Sequence, residues 1–197
     1  MSDSERMDWL LAEQCAPVLL GLKQANLVTL TKSRFRDARQ AIASCSDKLM
    51  DYEISVSIMK ESIRCYTVLI YRRESLAQML ENRDIRLFLE KNGYASTWSL
   101  EQCLDELRKR FGCVDHDVRA FPHEVGIFLG YPLRDVVAYM ADMNARPVAV
   151  GAWKAYSHKE DADRLFAIYR DARASMLARM REGIALFKQI AEAAVAA

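Results

Sequence analysis

Two places in the chain set a reactive side chain beside a helix-start signal. Cys15 stands two residues before Pro17, and His123 and Glu124 follow directly on Pro122. Proline is favoured in the first turn of a helix, where its missing N–H costs nothing. A thiol there would face unpaired amides and the positive end of the helix dipole, which lower its pKa and favour the nucleophilic thiolate. The competing reading of Cys15 is a small apolar residue filling a corner between helices. The same field disfavours an imidazolium at His123, leaving a neutral ring fit for a general base, an acceptor or a metal ligand. A histidine that only packs and bonds the backbone is the alternative. Cys15 and His123, oriented by Glu124, would make the catalytic set of a thiol hydrolase or transferase. Its electrostatics conflict, because a thiolate–imidazolium pair would hold both groups at positive helix ends. The chain carries no nucleophile elbow and no cysteine-protease signature.

A second constellation is metal-like. Cys113-Val114-Asp115-His116 has ligand types at C-x-x-H spacing, and His123 follows closely. Sulfur with imidazole suits zinc or iron. There is no C-x-x-C pair and no haem-attachment motif, so the identity of any cofactor stays open. Lys23, Tyr131 and Trp153 are the candidates for holding one, although aromatic residues on a strand more often belong to a core. Gly126 falls inside a short helical segment, where glycine costs about 1 kcal/mol relative to alanine. Something must approach it closely, and packing is the simpler choice over a flat ligand.

The rest of the composition narrows the field. With 197 residues, 51% of them hydrophobic, and 28 Lys+Arg against 27 Asp+Glu, the chain is long enough for a sizeable core and too balanced for a disordered one. Arginines cluster around 34–39 and 170–181, but the even charge gives no footprint for a phosphate backbone, which argues against nucleic acid. No apolar run is long enough to span a membrane. The segment MSDSERMDWLLAEQ does not read as a signal peptide. Five scattered cysteines then suggest reduced thiols in a cytoplasm.

Periodicity supplies the elements. Ser2 and Glu5 form a capping box for a first helix that should stop near Gln14, because Pro17 biases Ala16 away from helical angles. A second helix is predicted from Pro17, and a third with Phe35, Ala38, Ile42, Cys45 and Leu49 on one face. Tyr52 to Ile58 alternate as a half-buried strand, and the segment from Ile63 to Tyr71, apolar on both faces, should be its central hairpin partner. Helices return from Glu74, with Asn92-Gly93 ending one and Ser99 with Gln102 capping the next. Val148 to Tyr156 alternate as a third strand, and Ser157 with Glu160 should cap one long C-terminal helix. The expectation is a single α+β domain over 1–197: a small, mostly antiparallel sheet of about three strands covered by many helices.

Three segments together resemble a family of uncharacterised bacterial proteins, a domain of unknown function found mainly in anaerobes. They are Cys15-Ala16-Pro17 with Lys23, Ala25, Asn26 and Leu27; FPHEVGIFLGYPLRDV from Phe121 to Val136; and Trp153-Lys154-Ala155-Tyr156. Gln24 and Ser157 depart from the family's proline and glycine. The resemblance implies a redox or metal setting, with a flavodoxin-like or other redox protein as partner, and no particular reaction. The reading of the sequence is therefore a small ligand-binding or accessory protein of redox or metal metabolism, with a pocket around Cys15, His123, Glu124, Tyr131 and Trp153. The cysteine-dependent hydrolase or transferase is one alternative. The other is an interaction module that docks through Leu165, Ile168 and Met176 of the C-terminal helix.

Overall fold

The computed structural model describes residues 1–112 and 121–196. The chain divides into two compact units, Met1–Glu74 with Arg170–Ala197, and Ser75–Tyr169. Its class is α+β, as the alternating periods require.

The first unit opens with helix α1 (Asp3–Leu19), whose N-terminus is closed by the Ser2–Glu5 capping box. The expected break before Pro17 does not occur, and the proline lies within the last turn of the same helix. Cys15, Ala16, Val18 and Leu19 are all fully buried, and the burial of this turn outweighs the local preference of a residue preceding proline. The helix ends instead at Gly21, whose φ of 76° admits the reversal. Gly21 N–H bonds Val18 C=O and Leu22 N–H bonds Pro17 C=O, a Schellman closure.

Strand β1 (Ala25–Thr31) follows, then a single 3-10 turn (Lys32–Arg34), helix α2 (Ala38–Met50), and strands β2 (Ile54–Glu61) and β3 (Cys65–Arg72). The sheet order is β1-β3-β2, antiparallel throughout. The doubly apolar β3 is central, as its composition requires: Val68, Leu69 and Ile70 are all buried. Its Tyr66, Val68 and Ile70 share a core with Val28 and Leu30 of β1, Leu11 and Leu19 of α1 and Ile42 and Leu49 of α2. The guanidinium of Arg72 bonds the Val18 and Leu19 carbonyls, each at 2.8 Å, and so closes the C-terminus of α1.

The second unit runs through α3 (Arg73–Leu80), α4 (Arg83–Lys91), α5 (Leu100–Gly112), α6 (Val125–Phe128) and α7 (Leu133–Ala141). Leu100, Cys103, Leu104, Leu107 and Phe111 of α5 are buried. The third strand expected at Val148–Tyr156 is instead a doubled-back pair, β4 (Ala149–Val150) and β5 (Lys154–Ala155), outside the three-stranded sheet. Alternation there reflects a tight turn in which Trp153 points inward while Val148 and Val150 stay exposed. Helix α8 (Lys159–Arg181) runs from this unit into the first, and α9 (Leu186–Ala196) follows a break at Gly183. The expected Ser157–Glu160 box is not formed: His158 C=O receives the first helical amides, and Ser157 Oγ has no partner among the described residues.

Candidate functional site

Cys15 and Lys23 lie in the first unit, beneath the end of α1. Cys15 is fully buried, and burial pushes its thiol up to about 12 despite the nearby Lys23 ammonium and the Asn26 side chain. A thiol in the last turn of a helix meets the negative end of the dipole, the reverse of what a helix start would give. Lys23 is 5% exposed and bonds Asn26 Oδ1 at 2.8 Å. Its burial lowers the ammonium to about 8, against the stabilising influence of Cys15. Asn26 in turn reaches Gln14 C=O. The cluster ties the end of α1 to the start of β1.

His123, Glu124, Tyr131 and Trp153 belong to the second unit, so the trio read as catalytic is divided between the two. Glu124 precedes α6 and makes no side-chain cap. Its buried carboxylate accepts from Arg110 Nη1 at 2.7 Å and Tyr94 Oη at 3.1 Å, and Arg110 also lies 4.3 Å from the centre of the Tyr94 ring. All of its described contacts are structural. Trp153 is likewise committed. Its Nε1–H donates to Asp135 at 2.9 Å, its ring lies 4.6 Å from Phe166, and Tyr131 stacks on it at 5.4 Å. Asp135 also accepts from Tyr156 N–H at 2.9 Å. Gly126 owes its identity to packing: a Cβ there would meet Val136 at 2.8 Å and Tyr131 at 3.2 Å.

What remains available centres on Tyr139. The His123 ring stands edge-on to it at 5.2 Å, and the Phe121 ring lies 5.4 Å from that of His123. Lys154 Nζ lies 5.5 Å from the centre of the Tyr139 ring. Burial lowers the pKa of His123 in spite of Glu124, so the ring is neutral at physiological pH. Tyr156 is held protonated by burial and by its neighbours Tyr139, Asp142 and Asp135. His123 Nε2, Tyr156 Oη and Ser157 Oγ are each covered and have no hydrogen-bond partner among the described residues. Such atoms cost about 1–3 kcal/mol apiece when left unpaired. The arrangement offers two hydroxyls and a neutral imidazole, able to donate to or accept from carbonyl, hydroxyl or amide groups.

Cys113 and His116 lie outside the described residues, and among the described residues no group of His, Cys, Asp and Glu is placed to hold a metal ion. The long C-terminal helix presents no continuous apolar stripe: Met176 is buried and Ile168 is 45% exposed. Among the described residues, no helix is long and apolar enough to cross a membrane. Sequence reasoning missed Asp135 and Tyr139, which sit four residues apart on α7 and therefore on one face. That spacing, which starts inside the Phe121–Val136 motif and ends just past it, was the available signal.

No curated protein and no solved structure matches the chain. A family model described as "Protein of unknown function (DUF3793)" matches residues 11–190, and the chain belongs to that family.

Proposed function

We propose that the chain is a binding protein whose second unit holds a small polar ligand beside Tyr139, through His123, Tyr156 and Ser157. The observation that carries this is a pair of covered, unpartnered polar atoms whose residues both neighbour Tyr139, His123 Nε2 and Tyr156 Oη, with a third such atom, Ser157 Oγ, on the next residue of the chain. Neutral donors and acceptors favour an uncharged or weakly charged ligand, and the neighbouring Asp135 and Asp142 disfavour an added anion. An accessory role in redox or metal metabolism, with a flavodoxin-like partner, rests on the family resemblance alone. A cysteine-dependent reaction is the weaker reading, because burial keeps the Cys15 thiol protonated.

The test joins native mass spectrometry of the gently purified chain with NMR titration of the His123 ring by small diols and amides. The expected result is a bound mass, or a saturable shift, that Tyr156→Phe abolishes. Equal native and denatured masses, with a His123 ring unmoved throughout the panel, would overturn the proposal.

A further inference from the structure

The two edges of the three-stranded sheet are built differently. The outer strand β2 carries a bulge between Ile58 and Lys60, and both a bulge and a lysine discourage another strand from pairing. The other edge has no such guard. β1 runs in unbroken register from Ala25↔Tyr71 to Thr31↔Cys65, with no proline and no lysine in its seven residues.

The phase of the ladder follows from the bonds at its two ends. Lys32 N–H donates to Arg64 C=O and Arg72 N–H donates to Gln24 C=O, both at 2.8 Å. Even-numbered residues of β1 therefore bond β3, and Leu27, Thr29 and Thr31 turn their N–H and C=O groups outward. These outward groups have no backbone partner among the described residues.

A groove of about 400 Å³ runs beside this edge, between α1 and β1, lined among others by Trp9, Leu10, Thr29, Leu30, Arg34 and Phe35. Trp9 is half-exposed at its wall; tryptophan and arginine are the side chains that most often anchor binding surfaces. The charge is lopsided. Glu13 is engaged by Arg173 at 2.9 Å, and Arg6 donates to Arg34 C=O at 2.7 Å and lies 3.7 Å from Asp3. The exposed Arg34 guanidinium has no ion pair among the described residues.

We propose that the groove between α1 and the free edge of β1 receives an extended acidic peptide segment of a partner protein by strand addition. Main-chain bonds to Leu27, Thr29 and Thr31 hold the added strand, alternate apolar side chains rest against Trp9 and Leu10, and an acidic side chain meets Arg34. A second copy of the chain fits less well, because a β1 strand, ANLVTLT, has no acidic side chain of its own to offer Arg34.

The experiment is selection from a displayed library of random octapeptides, followed by binding of the selected peptides to the full chain. The expected winners alternate β-branched residues and carry Asp or Glu at one end. Their affinity falls about three- to tenfold in Thr29→Pro, which removes one outward N–H and leaves the β1–β3 ladder intact. It falls by a similar factor in Arg34→Glu. Amide resonances of Leu27, Thr29 and Thr31 move on binding, a readout that stands even if Thr29→Pro fails to fold. The proposal is overturned if selection returns no binder, or if the binders hold Arg34→Glu as tightly as the parent and leave those amides unmoved. A dimer that dissociates in the Thr29→Pro variant would overturn it too, by giving the edge to a second copy.

Discussion

Replacing Asp135 should loosen the second unit more than any exposed substitution. The carboxylate is 3% exposed and takes two donors, Trp153 Nε1–H and Tyr156 N–H, each at 2.9 Å. Asp135→Ala strands both donors. Each costs about 1–3 kcal/mol when unpaired, and the loss of an acidic residue from the first turn of α7 adds about 0.3–1 kcal/mol. Because Tyr156 is half-exposed and water can reach part of its surroundings, the total should be about 3–5 kcal/mol. For a chain of this length that lowers the melting temperature by roughly 10 °C. Asp135→Asn keeps one acceptor oxygen and turns an amide NH2 toward the other donor, so it should fall between, at about 2–3 kcal/mol. The control is Arg173→Ala, which breaks an exposed pair with Glu13 and should cost less than about 1 kcal/mol. Urea unfolding gives the stabilities, and the Trp153 indole N–H resonance reports the local change. The reasoning is refuted if Asp135→Ala lies within about 1 kcal/mol of the parent, or if that resonance does not move.

Other substitutions probe the remaining contacts. With its thiol held at about 12, Cys15 carries about one thiolate in ten thousand near pH 8, so in the native chain it should resist iodoacetamide until the protein unfolds. Rapid native alkylation at that position would contradict its burial. Gly126→Ala should destabilise by about 1–3 kcal/mol in thermal melts, since its Cβ would force Val136 and Tyr131 apart; a neutral result would mean that α6 and α7 separate easily. Stability should rise between about pH 8 and 9 and fall above it. In the rising part, the folded chain has already released the Lys23 proton, held at about 8, which the unfolded chain keeps up to its ordinary 10.5. Above 9.0 the unfolded Cys15 and Cys45 ionise while their folded thiols, raised to about 12 by burial, do not. Lys23→Met should abolish the rise and leave the fall, as urea unfolding across that pH range would reveal.

Local chemistry was legible wherever a short-range interaction decides the structure. Ser2 with Glu5 and Ser99 with Gln102 form their capping boxes as read, and the doubly apolar β3 is the central strand. The errors arose where distant packing overrides a local preference. Pro17 argues for a break that the buried turn around Cys15 and Val18 suppresses, and this alone reversed the electrostatic reading of Cys15. β1 was missed because only Val28 and Leu30 point into the core, too few for an alternation to stand out. Glu124 of the Phe121–Val136 motif and Trp153 were singled out as site residues, but both are bound within the unit. Their partners Arg110 and Asp135 are 14 and 18 residues away, a pairing that no helical or strand period encodes.

The bond from Arg72 to the end of α1 has a consequence for the order in which the chain can mature. The last turn of α1 includes a proline that cannot donate, and two of its terminal carbonyls accept from a guanidinium more than fifty residues downstream. During synthesis, the turn that encloses Cys15 can gain these two bonds only after residue 72 has left the ribosome and β3 has paired. The same two bonds act as a ruler. A slip of β3 by two residues would carry Arg72 about 7 Å along the strand and out of reach of both carbonyls, so a mispaired hairpin forfeits both bonds at the end of α1.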